Sequence, residues 1–127
     1  MICFNVMLAS AKVIEDPDRG SGMFEYYLDA TIQLHNLSYN KQAGVLINVD
    51  GIWRKIYTLY SHSLLTGGGN MVEVWKTRDF ELLKKIDIHP EPRLKPSFSF
   101  AVFYHNLDQA NWYWDNNYGH NYLVTAQ

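Results

Sequence analysis

The run Phe24-Glu25-Tyr26-Tyr27-Leu28-Asp29-Ala30-Thr31-Ile32-Gln33-Leu34-His35 alternates without a break. Phe24, Tyr26, Leu28, Ala30, Ile32 and Leu34 fall on one side; Glu25, Tyr27, Asp29, Thr31, Gln33 and His35 fall on the other. A strand turns successive side chains to opposite faces, so this pattern predicts a half-buried β-strand. Val45, Ile47 and Val49 repeat it, as do Phe98, Phe100, Val102 and Tyr104 against Ser99, Ala101, Phe103 and His105. Such alternation belongs to antiparallel sheets with one wet face. Further short strands are predicted over residues 2–9, 53–60, 72–75, 81–87, 112–114 and 121–124. Between them lie turn sequences: residues 16–22, Asp50-Gly51, Gly67-Gly68-Gly69-Asn70 and His89-Pro90-Glu91-Pro92. They combine residues that tolerate positive φ with residues that fix it. Residues 76–85 have some helical appeal through Phe80 and Leu83, but Ile86 and Ile88 return to period two, so a strand is preferred. About eight strands without a helical period predict an all-β chain, an immunoglobulin-like antiparallel β-sandwich. With no repeat or linker in sight, residues 1–127 read as a single domain.

Composition narrows the function classes. At 127 residues the chain can bury roughly two thirds of its unfolded surface, so its core needs no staple. Cys3 is the single cysteine, which excludes an internal disulfide and fits a reducing, cytoplasmic setting. Eleven basic against 13 acidic side chains give a formal charge of -2, without the clustered positive charge that nucleic acid demands. No apolar run approaches the roughly 20 residues of a membrane span. The start, through Ala9-Ser10-Ala11, lacks a basic n-region and is broken by Asn5, so it reads as a strand rather than a signal peptide. The outlying number is aromatic content, 15%, with 9 Tyr and 4 Trp. Rings with an apolar face and a polar edge suit ligands as well as cores.

The densest cluster is Trp112-Tyr113-Trp114-Asp115-Asn116-Asn117-Tyr118-Gly119-His120-Asn121-Tyr122. Five aromatic residues interleaved with three Asn and Asp115 cannot all be buried, because buried amides and carboxylates require partners. A sugar offers the complementary surface: C–H faces that pack on rings, and hydroxyls that match the amide's donors and acceptors. The competing reading is a strand, a polar turn and a second strand, with the Asn side chains serving the turn.

Residues 114–122 resemble the Trp-Asp-Asn-Asn-x-Gly-x-Asn-Tyr signature of carbohydrate-binding module family 21, the starch- and glycogen-binding domains. Asn36-Leu37-Ser38-Tyr39-Asn40-Lys41, Asp50-Gly51-Ile52-Trp53 and Phe100-Ala101-Val102-Phe103-Tyr104 are similar, in order, to three further family segments. The resemblance implies an immunoglobulin-like sandwich that binds α-1,4-glucan, such as starch, glycogen or maltooligosaccharides, without hydrolysing it. The family also occurs in glycogen-targeting subunits of protein phosphatase 1 and in some fungal glucoamylases. Carried over, Trp53 and Trp114 are the main stacking pair and Asn116 the hydroxyl reader. Tyr39 and Lys41 fall on a second sugar site. Asn117 and Asn121 either bond sugar or only hold the loop, and Trp53 could instead be a core tryptophan beside a turn. Two departures stand out: residues 105–111 form a longer hairpin, and Tyr118 replaces a common Asn. Ala101 cannot stack where some members carry an aromatic, so either Phe103 or Tyr118 substitutes or that subsite is weak.

Catalysis is not expected. The chain shows no sign of the matched carboxylate pair of a glycosidase. The five His residues, at 35, 62, 89, 105 and 120, lack metal-ligand spacing, so neither a metal nor another cofactor is anticipated. Gly67-Gly68-Gly69-Asn70 lacks the Lys-Ser/Thr of a phosphate loop and reads as a flexible connection. The alternative function is a targeting module that docks an enzyme of glycogen or starch metabolism, a role the resemblance attaches to the same loop. An Arg/Lys-Val-x-Phe segment for docking the phosphatase itself is missing: Lys12-Val13-Ile14-Glu15 lacks the aromatic.

Overall fold

A computed structural model describes residues 4–18, 22–87 and 94–127. Residues 1–3, 19–21 and 88–93, among them Cys3 and His89 and parts of two of the predicted turns, lie outside the described residues. Nine strands follow one another: β1 (Val6–Asp18), β2 (Met23–Leu34), β3 (Lys41–Val49), β4 (Ile52–Leu65), β5 (Met71–Thr77), β6 (Glu81–Asp87), β7 (Ser97–Asn106), β8 (Asn111–Asp115) and β9 (Tyr122–Thr125). Every pairing is antiparallel, and the described residues contain no helix. None could therefore supply a helix long and apolar enough to cross a membrane.

The sheet is continuous, in the order β1-β2-β5-β4-β3-β7-β8, with β6 also on β2 and β9 on β7. It folds over at β4, whose first half, to Tyr57, pairs with β3, while Thr58 onward pairs with β5. Gly44 makes this corner possible. A Cβ there would lie 2.1 Å from the Ile56 carbonyl oxygen, so only glycine lets β4 pass so close. The buried Thr58 hydroxyl donates to the Ala43 carbonyl at 2.8 Å and secures the crossing. At the far side β1 returns beside β8, and the sheet is nearly closed into a barrel-like shape. The two-residue turn Asp50-Gly51 joins Val49 to Ile52 with φ of 54° and 86°, the primed geometry that matches strand twist. Asn48 Oδ1 accepts the Gly51 N–H at 2.8 Å.

Inside, Tyr26, Leu28, Ala30, Ile32 and Leu34 of β2 face Val45 and Ile47 of β3 and Phe98, Phe100, Val102 and Tyr104 of β7. The alternation in the sequence thus names the core face of all three strands. Several boundaries differ from expectation. β1 runs on to Asp18, through residues read as a turn, because it pairs with β2 along its whole length up to Asp18 opposite Met23. β4 continues to Leu65 since a bulge at Ser61 lets it shift register along β5. The glycine run after β4 is not a loose connection: Thr66 N–H donates to Asn70 O at 2.7 Å and Gly69 N–H to Thr66 O at 3.0 Å, closing a hairpin. β5 and β6 extend one another along β2, interrupted by residues 78–80, where Thr77 Oγ1 accepts the Ala30 N–H at 3.0 Å.

Candidate functional site

Register places aromatic side chains on the outer face of β3, β4, β7 and β8. Tyr57, Gly44, Phe103 and Trp114 are successive cross-strand partners. His105 and Trp112 form the next row on one side, and Lys55, Leu46 and Ala101 the next on the other. Phe103 is 0% exposed although it points outward from the core face, because its ring lies over Gly44 and beneath Tyr57, Trp112 and Trp114 at centroid distances of 5.7, 5.9 and 6.2 Å. Aromatic rings in such tilted and edge-on contacts hold one another in fixed orientations. His105 stacks on Trp112 at 3.9 Å, Trp112 lies within 14° of parallel to Trp114, and the Lys55 ammonium sits 4.7 Å from the Trp112 ring centroid.

Trp53 and Trp114 flank a groove of about 280 Å³, with Leu46, Ala101, Asn116 and Asn121 as the rest of its lining. Trp53 is 46% exposed and Trp114 45%, so neither is a core residue. Four of the residues singled out from sequence, Trp53, Trp114, Asn116 and Asn121, therefore come together from two separate stretches of chain. Leu46 was not foreseen; its position on the polar side of the β3 alternation was the available signal. Trp112, which stacks on Trp114, and Lys55, which lies over Trp112, were missed as well. Trp112 could have been found from its spacing, two residues from Trp114 on one strand.

The loop after β8 is latched by Asp115. Its carboxylate accepts the Leu8 N–H at 2.7 Å, the Tyr122 hydroxyl at 2.8 Å and the Asn117 N–H at 3.3 Å, tying the loop to β1 and β9. Tyr122 stacks on Phe100 at 5.4 Å. Burial, reinforced by the Asp115 carboxylate, pushes its hydroxyl up to about 12. Asn117, Tyr118, Gly119 and Asn121 all have positive φ, which explains the Asn-rich composition, since Asn tolerates this region. Asn117 Nδ2 donates to the Asn121 carbonyl at 3.1 Å, and Asn121 N–H donates to the Asn116 carbonyl at 2.7 Å. Asn116 Oδ1 accepts the Gly119 N–H at 3.0 Å, which orients its amide. The Asn116 NH₂ finds no protein acceptor among the described residues, and Asn116 is part of the groove lining.

Tyr39 and Lys41 stand apart from this groove. Tyr39 is 95% exposed at the end of a loop pinned by Asn40, whose backbone and side-chain N–H groups donate to Asp108 at 3.2 and 2.9 Å. These bonds hold the Asp108 carboxyl below its ordinary range. The Lys41 side chain is only 7% exposed, and its ammonium donates to Asn36 Oδ1, to the Ser38 carbonyl at 2.9 Å and to Glu73 at 3.1 Å. An ammonium has three donors, so all of Lys41's are taken. No group of three or more His, Cys, Asp or Glu side chains among the described residues could hold a metal.

No sequence-family description matches the chain, and no curated protein does. A solved structure does: the carbohydrate-binding module of the muscle glycogen-targeting subunit of protein phosphatase 1, with a TM-score of 0.56. The chain shares that module's fold. The likeness covers 97% of this chain and 76% of the module at 21% sequence identity.

Proposed function

We propose that the chain is a noncatalytic module that binds α-1,4-glucan, and that residues 1–127 form one immunoglobulin-like binding domain. One observation carries the reading: two half-exposed tryptophans, of which Trp114 is braced by neighbouring rings, flank a groove that also meets an oriented Asn amide. Trp53 and Trp114 pack against the C–H faces of consecutive glucose units. Asn116 donates to hydroxyls, Asn121 contributes from the groove wall, and Asn117 keeps the loop closed. The preferred ligand is the helically curved α-1,4-glucan rather than flat cellulose. Protein–sugar and protein–water hydrogen bonds nearly balance, so affinity for short oligosaccharides is modest, with Kd on the order of 10 to 1000 μM. Tyr39 offers a second stacking surface, with Lys41 holding its loop rather than reaching sugar.

Affinity electrophoresis in gels containing glycogen tests this reading. The protein is retarded, and Trp53→Ala and Trp114→Ala each restore most of the free mobility while keeping the wild-type far-UV spectrum. Unretarded wild-type protein contradicts it. That outcome, with retention by an immobilised enzyme of glycogen or starch metabolism, favours the docking role instead.

A further inference from the structure

A second cavity adjoins the groove across Trp114. It too measures about 280 Å³, and its walls include Phe4 and Met7 of the amino-terminal segment, Tyr118 and Tyr122 of the loop, and the shared residues Trp114 and Asn116. Phe4 and Met7 are substantially exposed, and Tyr118 is 78% exposed although its backbone φ is 56°, a region that few non-glycine residues adopt. The loop is held in this form by Asp115, which also anchors the Leu8 N–H and so fixes β1 against it. Both walls of the cavity therefore hang on one carboxylate. Each cavity alone falls just short of the roughly 300 Å³ at which small-molecule sites begin, whereas the two joined over Trp114 fall within that range.

We infer that the glucan path does not end at Trp114 but crosses it into this cavity, where Tyr118 and Met7 contact further glucose units. The inference rests on the glucan reading above and extends it. Phe103 is buried beneath other rings, so it offers no face to a ligand; Tyr118 does. Asn116 lines both cavities, so a chain passing from one to the other runs along it. The added contacts are with apolar surface and an aromatic ring, as the faces of a pyranose require.

The test compares maltotriose with maltoheptaose by calorimetric titration, all in a Tyr39→Ala background so that the remote surface contributes nothing. Tyr118→Asn retains a residue suited to positive φ, and Met7→Ser probes the opposite wall without touching the loop. The expected result is that maltoheptaose binds at least tenfold more tightly than maltotriose, and that each variant removes most of that gain while leaving maltotriose affinity within twofold. Equal losses for both sugars, or none for either, overturn the extended path and leave the Trp53–Trp114 groove standing. If a folded protein binds neither sugar, the glucan reading itself fails, and the extended path with it.

Discussion

Asp115 links the chemistry of the loop to the stability of the fold. It lies within the sequence signature, yet it is turned away from the Trp53–Trp114 groove and serves Leu8, Asn117 and Tyr122. Asp115→Ala leaves two N–H groups and a hydroxyl without their acceptor, at a cost of about 1–3 kcal/mol. Urea unfolding should show a midpoint lowered accordingly, together with weakened glucan binding as the loop loosens. Tyr122 gives a pH signature. Its folded hydroxyl is pushed up to about 12, above the unfolded value near 10, so the folded state keeps its proton longer. Stability from this group is complete below pH 10 and falls as pH rises towards 12. Unfolding free energies measured from pH 9 to 12 should decline, and Tyr122→Phe should flatten part of the decline; Tyr104, also raised by burial, leaves a remainder. The division of labour among the Asn residues was only half visible in the sequence. Asn117, Asn121 and Asn116 look alike as letters, and only the folded backbone shows that Asn117 and Asn121 hold positive φ while Asn116 and Asn121 line the groove.

Strand β4 carries the largest structural burden, because it belongs to both halves of the sheet. Gly44→Ala forces a Cβ onto the Ile56 carbonyl and against the Phe103 ring, which a Cβ would meet at 3.0 Å. Overpacking against backbone costs about 3 kcal/mol, and thermal denaturation should reveal it as a lowered Tm. The variant should also bind glucan less well, since Phe103 supports Trp114. A neutral outcome would mean that β4 can move away without loss. The core faces of β2, β3 and β7 were legible because period-two alternation reports burial directly. The fold-over was not: nothing in the alternation of β4 marks where it changes partners, and Gly44 declares its role only through a close approach between distant residues. The outward-pointing but buried Phe103 escaped for the same reason, since a second aromatic layer on the wet face needs Tyr57 and Trp112, which come from other strands.

Across the molecule, the aromatic content that stood out in the composition divides into three uses. Tyr26, Phe100 and Tyr104 fill the interior, Phe103 and Trp112 brace the outer face, and Trp53, Trp114, Tyr39 and Tyr118 meet solvent. Of the last group, Trp53, Trp114 and Tyr118 gather around the loop after β8, with Tyr39 elsewhere. The framework is the fold shared with a glycogen-targeting subunit's module, at 21% identity. The decisive measurement is calorimetric titration of the folded protein with β-cyclodextrin, a closed ring of α-1,4-linked glucose, against cellohexaose as the flat glucan. Saturable binding of cyclodextrin alone, with Kd on the order of 10 to 1000 μM and lost in Trp53→Ala, is the predicted result. No heat at millimolar cyclodextrin, or equal binding of cellohexaose, would contradict the account.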